Sequence, residues 1–468
     1  MTGLLSLPPE LLQEIGTKRT RADRTLRLIC KQINFGLEPR ILSTIALLSI
    51  SQLEHLVAAE PKPSPTAKYA TQLNVYLYDL FNENRGLTSE EEAKIKLLLV
   101  PAIGSLTGVR KVLGWLTSDS DTDPEWAVLQ VFDALASLPF LNDLHLCCWP
   151  VSNPFLQLRR LPHLENLTIT RESWQDDDCI TVIPIYQNAP NLNDLLSETS
   201  KSSVFLKITH LTLKGLPVKL DATVLSHLRS LISLTTDVTF SPPDQVSDNQ
   251  GAGFSSGDVW SVLWFEKIHL QEIITDVVQS ALIEYLASFS GLRRLILTET
   301  PYDMPPQVSD QLALKFYEQA LQNHVHSLDA LEINTNYEGK WSFASHCSSI
   351  IIKCTRLTFL KLSINSEDMA EENNNKEDSS ASGGNVIWSL LDICAALPAL
   401  KTLKLFSTST YGTVTAKHCA RTNAKIIKNV TSYKPTTPSH AFRIFIDRDE
   451  FELQRDELGM NLGYRCTL

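Results

Sequence analysis

Arg356–Leu362 reads RLTFLKL, and its apolar residues Leu357, Leu360 and Leu362 have the spacing L-x-x-L-x-L. Side chains in a strand alternate between two faces, so Leu360 and Leu362 share one side while Leu357 enters from the preceding turn. The spacing recurs at Leu141, Leu144 and Leu146, at Leu164, Leu167 and Ile169, and at Ile208, Leu211 and Leu213. It returns at Leu292, Leu295 and Leu297, at Leu328, Leu331 and Ile333, and at Leu400, Leu403 and Leu405. Weaker copies stand at Leu73 with Val75, Val109 with Val112, Leu231 with Leu234, and Ile268 with Leu270. A strand with one apolar face cannot bury it alone, so the recurrence predicts stacked units that cover one another.

Between the copies the chain alternates helical and strand patterns. Ser89–Val100 has acidic residues first and lysines later, as a helix dipole favours. Glu125–Ala136, Asp276–Ser288, Ser309–Gln322 and Val386–Ala396 are further predicted helices, each in the slot before a strand. Leu-Pro pairs at Leu138, Leu161 and Leu397 punctuate the passage from helix to strand. Central leucines lie 23 residues apart at Leu144 and Leu167 but 36 apart at Leu295 and Leu331, so the repeat length is irregular. The predicted fold class is α/β: a solenoid of parallel strands on a concave face with helices on the convex face. This pattern resembles the leucine-rich-repeat horseshoe. The stretch FYEQALQNHVHSLDALEINTNYEGKWSF, without a clean Asn ladder, is similar to the degenerate leucine-rich repeats behind the F-box of many fungal proteins.

The chain has 468 residues, 43% of them hydrophobic and 20% charged, with a net charge of -11. This suits a packed chain and argues against wrapping a phosphate backbone, so no nucleic-acid partner is expected. No apolar run approaches the roughly 18 residues of a membrane span, and MTGLLSLPPELLQEI has no basic flank of a secretory signal. Nine cysteines without framework spacing are expected to be reduced, which together with the preceding points predicts an intracellular protein, cytoplasmic or nuclear, without membrane attachment. Ser241–Gly257 and Asn365–Gly384 are too polar to offset their ordering entropy and are predicted loops.

Residues 1–50 differ from the rest of the chain. Pro8 and Pro9 open a helical pattern through Leu11, Leu12 and Ile15; a second, from Asp23, aligns Leu26, Ile29, Cys30 and Ile33. A third apolar run, Ile41–Leu48, comes after Pro39. LPPELLQEI, RLICKQI and EPRIL together resemble the F-box, a small all-helical module: Leu7, Pro8, Glu10, Leu11 and Leu12 match its start, Cys30 and Lys31 its C-K pair, and Pro39 the proline before its last helix. The resemblance implies that Leu7, Pro8, Leu11, Leu12 and Ile15, supported by Leu28, Ile29 and Ile33, dock on a Skp-type adaptor and through it on a cullin-RING ubiquitin ligase. The expected organisation is then an F-box-like module at 1–50, an irregular solenoid at 51–410, and a cap at 411–468 closed by a strand through Phe442, Ile444 and Ile446.

The function this implies is substrate recognition for a Skp-cullin-F-box type ligase, acting by tethering a protein target and doing no bond chemistry itself. The alternative is a non-ligase interaction scaffold whose first helices only cap the solenoid; Gly16 and Arg19, at places usually apolar in the F-box, favour it. Trp149 and Trp174, just past strand ends, are the expected target-binding residues. No Gly-rich phosphate loop, G-x-S-x-G elbow or H-E-x-x-H pair occurs, so no catalytic residue and no cofactor is expected. His324 with His326 and His346 with Cys347 fit no zinc spacing and are read as packing or surface residues, and Asp176–Asp178 as a solvated loop. No metal site is expected.

Overall fold

The computed structural model describes residues 38–58, 64–81, 88–115, 125–147, 158, 160–170, 206–214, 222–237, 257–276, 278–298, 304–369, 385–408, 416–435, 441–456 and 461–467. The chain forms two compact units, Met1–Ser230 and Leu231–Leu468.

In the first unit the strands β1 (Thr44–Leu47), β2 (Gln72–Tyr76), β3 (Lys111–Trp115), β4 (Asp143–Cys147), β5 (Asn166–Thr170) and β6 (His210–Lys214) pair in chain order, every pair parallel. The register aligns the apolar positions into continuous rows. Leu73, Val112, Leu144, Leu167 and Leu211 lie side by side, each at most 1% exposed. Because the side-chain period is two, a slip of one residue would turn each row to solvent, and burial therefore holds the register.

The second unit repeats the arrangement with β7 (Ser233–Asp237), β8 (Glu272–Thr275), β9 (Arg294–Leu297), β10 (Ala330–Ile333), β11 (Phe359–Ile364), β12 (Thr402–Ser407) and β13 (Arg443–Ile446), again parallel and in order. Its first row runs Leu234, Ile273, Leu295, Leu331, Leu360, Leu403, Ile444. The two strands β14 (Asp449–Arg455) and β15 (Asn461–Cys466) then add antiparallel, through a tight turn in which Asp447 takes the left-handed conformation at φ 53°. Parallel neighbours need a crossover, and helices occupy many of these connections. Ser89–Gly104 starts at a capping box, Thr88 Oγ1 accepting from Glu91 N while Glu91 Oε2 accepts from Thr88 N. Val386–Ala396 starts at Asn385, whose Oδ1 accepts from Ile387 N at 3.0 Å. Neighbouring helices pack on one another, as Ile50–Val57 does on Ser89–Gly104 and that helix on Glu125–Ala136.

Several expectations are corrected. The run Ile41–Leu48, expected as the last helix of the N-terminal module, contains β1: Ile45 and Leu47 alternate toward Leu73 and Val75, and pairing with β2 satisfies the backbone that a short helix would leave open at both ends. The weak copy at Ile268 and Leu270 is displaced. The strand is Glu272–Thr275, and the repeat reads Leu270, Ile273, Thr275, with threonine in the last apolar place. Thr236 fills the equivalent place in β7, and its hydroxyl donates to Thr275 Oγ1 at 2.8 Å inside the row. The helix expected over Ser309–Gln322 is Pro306–Lys315, continued by a π-turn at Phe316–Ala320 and a 3-10 turn at Leu321–His324. The predicted closing strand is present as β13, but the helix Ala416–Ser432 and the β14–β15 hairpin beside it were not foreseen.

Three buried polar side chains join the turns behind the strands. Tyr285 Oη accepts from Leu270 N at 3.0 Å and donates to Ile268 O at 2.8 Å; His227 Nδ1 accepts from Leu206 N at 3.0 Å. His324, 1% exposed, accepts from Leu292 N through Nδ1 at 3.3 Å and donates to Leu286 O through Nε2 at 3.0 Å. Both nitrogens are committed, which suits the neutral ring. Burial pushes its pKa down to about 4 from the usual 6.5, against the smaller opposing pull of the Leu286 carbonyl. The unfolded chain takes up this proton near pH 6.5 and the folded chain does not until about pH 4, so stability present above 6.5 is lost across that window, by about 3 kcal/mol in all. Urea midpoints at pH 7 and pH 4.5 should therefore differ more in the unmodified protein than in His324→Gln; equal shifts would rule the histidine out as the source. A second expectation concerns register: Leu360→Ala should destabilise by about 2–5 kcal/mol, whereas Lys361→Ala, one position on, should shift the melting temperature by no more than a degree or two.

Candidate functional site

Over the repeat positions of β8 to β13, one row of side chains is turned inward and the intervening residues face the other way. In L-x-L the middle residue is the outward one. Across β8 to β13 the register places Ile274, Ile296, Glu332, Lys361, Lys404 and Phe445 in a single outward row. These side chains keep access to solvent, while Leu360, Leu403 and Ile444, one position before the last three, are wholly buried.

The basic end of this row is arranged around aromatic rings. Lys361 Nζ lies 2.8 Å from Glu332 Oε1 and 5.4 Å from the centroid of Phe406. Lys404 Nζ stands between Phe359 and Phe445, 5.6 and 5.7 Å from their centroids. Arg443 approaches Phe445 at 5.8 Å and pairs with Glu450 at 3.2 Å. Ring faces attract such cations by about 0.5–1 kcal/mol each when exposed. Some cations of the unit are neutralised: Arg293 and Arg356 share the Asp329 carboxylate at 2.8 and 3.3 Å. Lys404 is not one of these: among the described residues no carboxylate lies within 4.0 Å of its ammonium, and its charge faces the two rings.

Beside this patch, the connections leaving the carboxyl ends of β10, β11 and β12 are clasped together. Glu338, whose side chain is 7% exposed, accepts from Ser366 N at 3.1 Å and from Ser366 Oγ at 2.7 Å, and pairs with His418 Nε2 at 2.9 Å.

The residues singled out from the sequence fall in different places. Leu7, Pro8, Leu11, Leu12, Ile15, Leu28, Ile29 and Ile33 lie outside the described residues, as do Trp149, Trp174 and Asp176–Asp178. Of the other tryptophans, Trp260 and Trp341 are core, each 2% exposed, and Trp126 Nε1 donates to Glu92 Oε1 at 3.1 Å. Trp115 stacks on Tyr76 with centroids 4.6 Å apart. His346 Nε2 donates to the Lys340 carbonyl at 2.8 Å, and burial pushes the Cys347 thiol up to about 12, far from a reactive thiolate. Among the described residues no group of three His, Cys, Asp or Glu is placed to hold a metal ion. The outward row was not singled out from the sequence. Its signal was nevertheless present in the middle letters of LKL at Leu360–Leu362 and LKL at Leu403–Leu405.

In the clasp the Ser366 hydroxyl is held by the Glu338 carboxylate, which fastens two connections together, and what row, rings and clasp offer is contact. No protein-family model matches this sequence, and no curated protein matches it. Among solved structures, a leucine-rich-repeat protein of Leptospira interrogans aligns over 82% of this chain and 98% of its own at 14% identity, with a TM-score of 0.24. At that distance the fold rests on the strand register alone.

Proposed function

We propose that this chain is a protein-interaction scaffold of leucine-rich-repeat-like α/β construction that engages a partner through the outward face of β8 to β13. The observation that carries this reading is the row from Ile274 to Phe445, in which apolar, acidic, basic and aromatic side chains stand in register with partial solvent access. Aromatic and cationic groups on an ordered sheet provide anchor points for a partner without catalytic machinery. Trp149 and Trp174 are proposed as further target contacts. Affinity capture with the unmodified protein and with the double variant Ile274→Arg, Ile296→Arg tests the surface. Partners held by this face should drop at least about tenfold, corresponding to about 1.4 kcal/mol, while the melting temperature stays close to that of the unmodified protein. An unchanged set of partners would refute the assignment of the face.

A second, finer reading makes this scaffold the substrate-recognition subunit of a Skp-cullin-F-box type ligase. LPPELLQEI, the Cys30–Lys31 pair and Pro39 favour it, with Leu7, Pro8, Leu11, Leu12, Ile15, Leu28, Ile29 and Ile33 as the proposed adaptor contacts. The catalytic work would belong to the enzyme that the adaptor recruits, this chain raising the local concentration of its target. Replacing Leu11 and Leu12 by Asp should abolish co-purification with a Skp-type adaptor. If the unmodified protein shows no adaptor binding at micromolar concentration, the ligase role is lost and the scaffold remains.

A further inference from the structure

Lys361 and Lys404 occupy the same register position on the adjacent strands β11 and β12. Like charges directly opposite one another on a sheet face are destabilising, and nothing in the packing requires them, because both point away from the core. Glu332, the register partner of Lys361 on the other side, satisfies only the nearer lysine, at 2.8 Å. Lys404 is left with the faces of Phe359 and Phe445. A local conflict of this kind, beside partly exposed aromatic rings, marks a place arranged for something other than folding.

Resting on the scaffold reading, we propose that this end of the face receives an acidic segment of a protein partner, with one Asp or Glu carboxylate accepted at Lys404 and a neighbouring apolar side chain laid against Phe445 and Phe359. The carboxylate supplies the counter-charge that the row lacks and relieves the Lys361–Lys404 repulsion. The apolar side chain laid over the rings would shield the ion pair from water and strengthen it. A nucleic-acid backbone suits the site poorly: Arg443 and Lys361 are already paired with Glu450 and Glu332, which leaves no continuous basic stripe in a chain of net charge -11.

The test uses the full chain and four fluorescein-labelled probes: a short peptide rich in Glu with one Leu, the same peptide with Gln for every Glu, the same peptide with Lys for every Glu, and an oligouridylate. Fluorescence anisotropy at low and moderate salt should show the Glu peptide binding, weakening with salt, and bound at least tenfold better than the Gln peptide. Lys404→Glu should remove about tenfold or more of that affinity, as loss of a charge-assisted hydrogen bond does. The milder Lys404→Gln should show the same loss with an unaltered melting temperature, which guards against misfolding of the first variant. A Lys-for-Glu version of the peptide should bind Lys404→Glu better than it binds the unmodified protein. Equal binding of Glu and Gln peptides, indifference to both substitutions, or preference for the oligouridylate would each overturn the proposal. The two readings fail separately: if captured partners are lost in the Ile274, Ile296 variant but kept in Lys404→Glu, the face binds proteins and the acidic specificity is wrong.

Discussion

Apolar rows shared between neighbouring strands hold this protein together. No strand of four to seven residues could bury its leucines by itself, and each is dry only because the next repeat supplies the adjoining members of the row. Leu331 between Leu295 and Leu360 illustrates the constraint: all three are at most 1% exposed, and each shields the flank of the next. Given that dependence, the connections can vary in length, since only the register at the strand must be kept from one repeat to the next. The irregular intervals, including the long insert that carries buried Trp341 after β10, are tolerated for this reason.

Polar groups obey the same logic on the other side of the turns. Chain reversals before each strand leave backbone N–H groups away from water, and Tyr285, His227 and His324 reach across from a neighbouring connection to accept from them. One is a tyrosine and two are histidines, yet the bond made is equivalent. That substitution of chemistry at a constant geometric task explains why no polar consensus accompanies the leucines.

Much of this was legible in the sequence. Where leucine or isoleucine filled both strand positions, as at Leu403 with Leu405, the pattern located the strand to within a residue or two, β1 excepted. It failed where another residue took the inward place. Thr275 and Thr236 satisfy their hydroxyls within the row and so look polar in a one-letter string while behaving as core. Ile45 and Leu47 were hidden because four residues of alternation in β1 also fit a helical turn, and only the partner strand β2 decides between them. The hairpin β14–β15 lacks the repeat spacing altogether, since antiparallel strands joined by short turns need no crossover helix. For the site, the position of Lys361 and Lys404 could be read from alternation, but their side-by-side register and the rings flanking Lys404 could not, because both depend on residues from strands more than forty positions apart.

Glu338 gives the outward face a mechanical property. By binding Ser366 and His418 together, its carboxylate joins three successive connections beyond the carboxyl ends of β10, β11 and β12, the strands that carry Glu332, Lys361 and Lys404. A rim whose segments are already fastened has little freedom left to surrender when a second molecule settles against it. Association there would then be dominated by what the two surfaces say to each other, since the entropic toll of stilling loose loops has been met during folding.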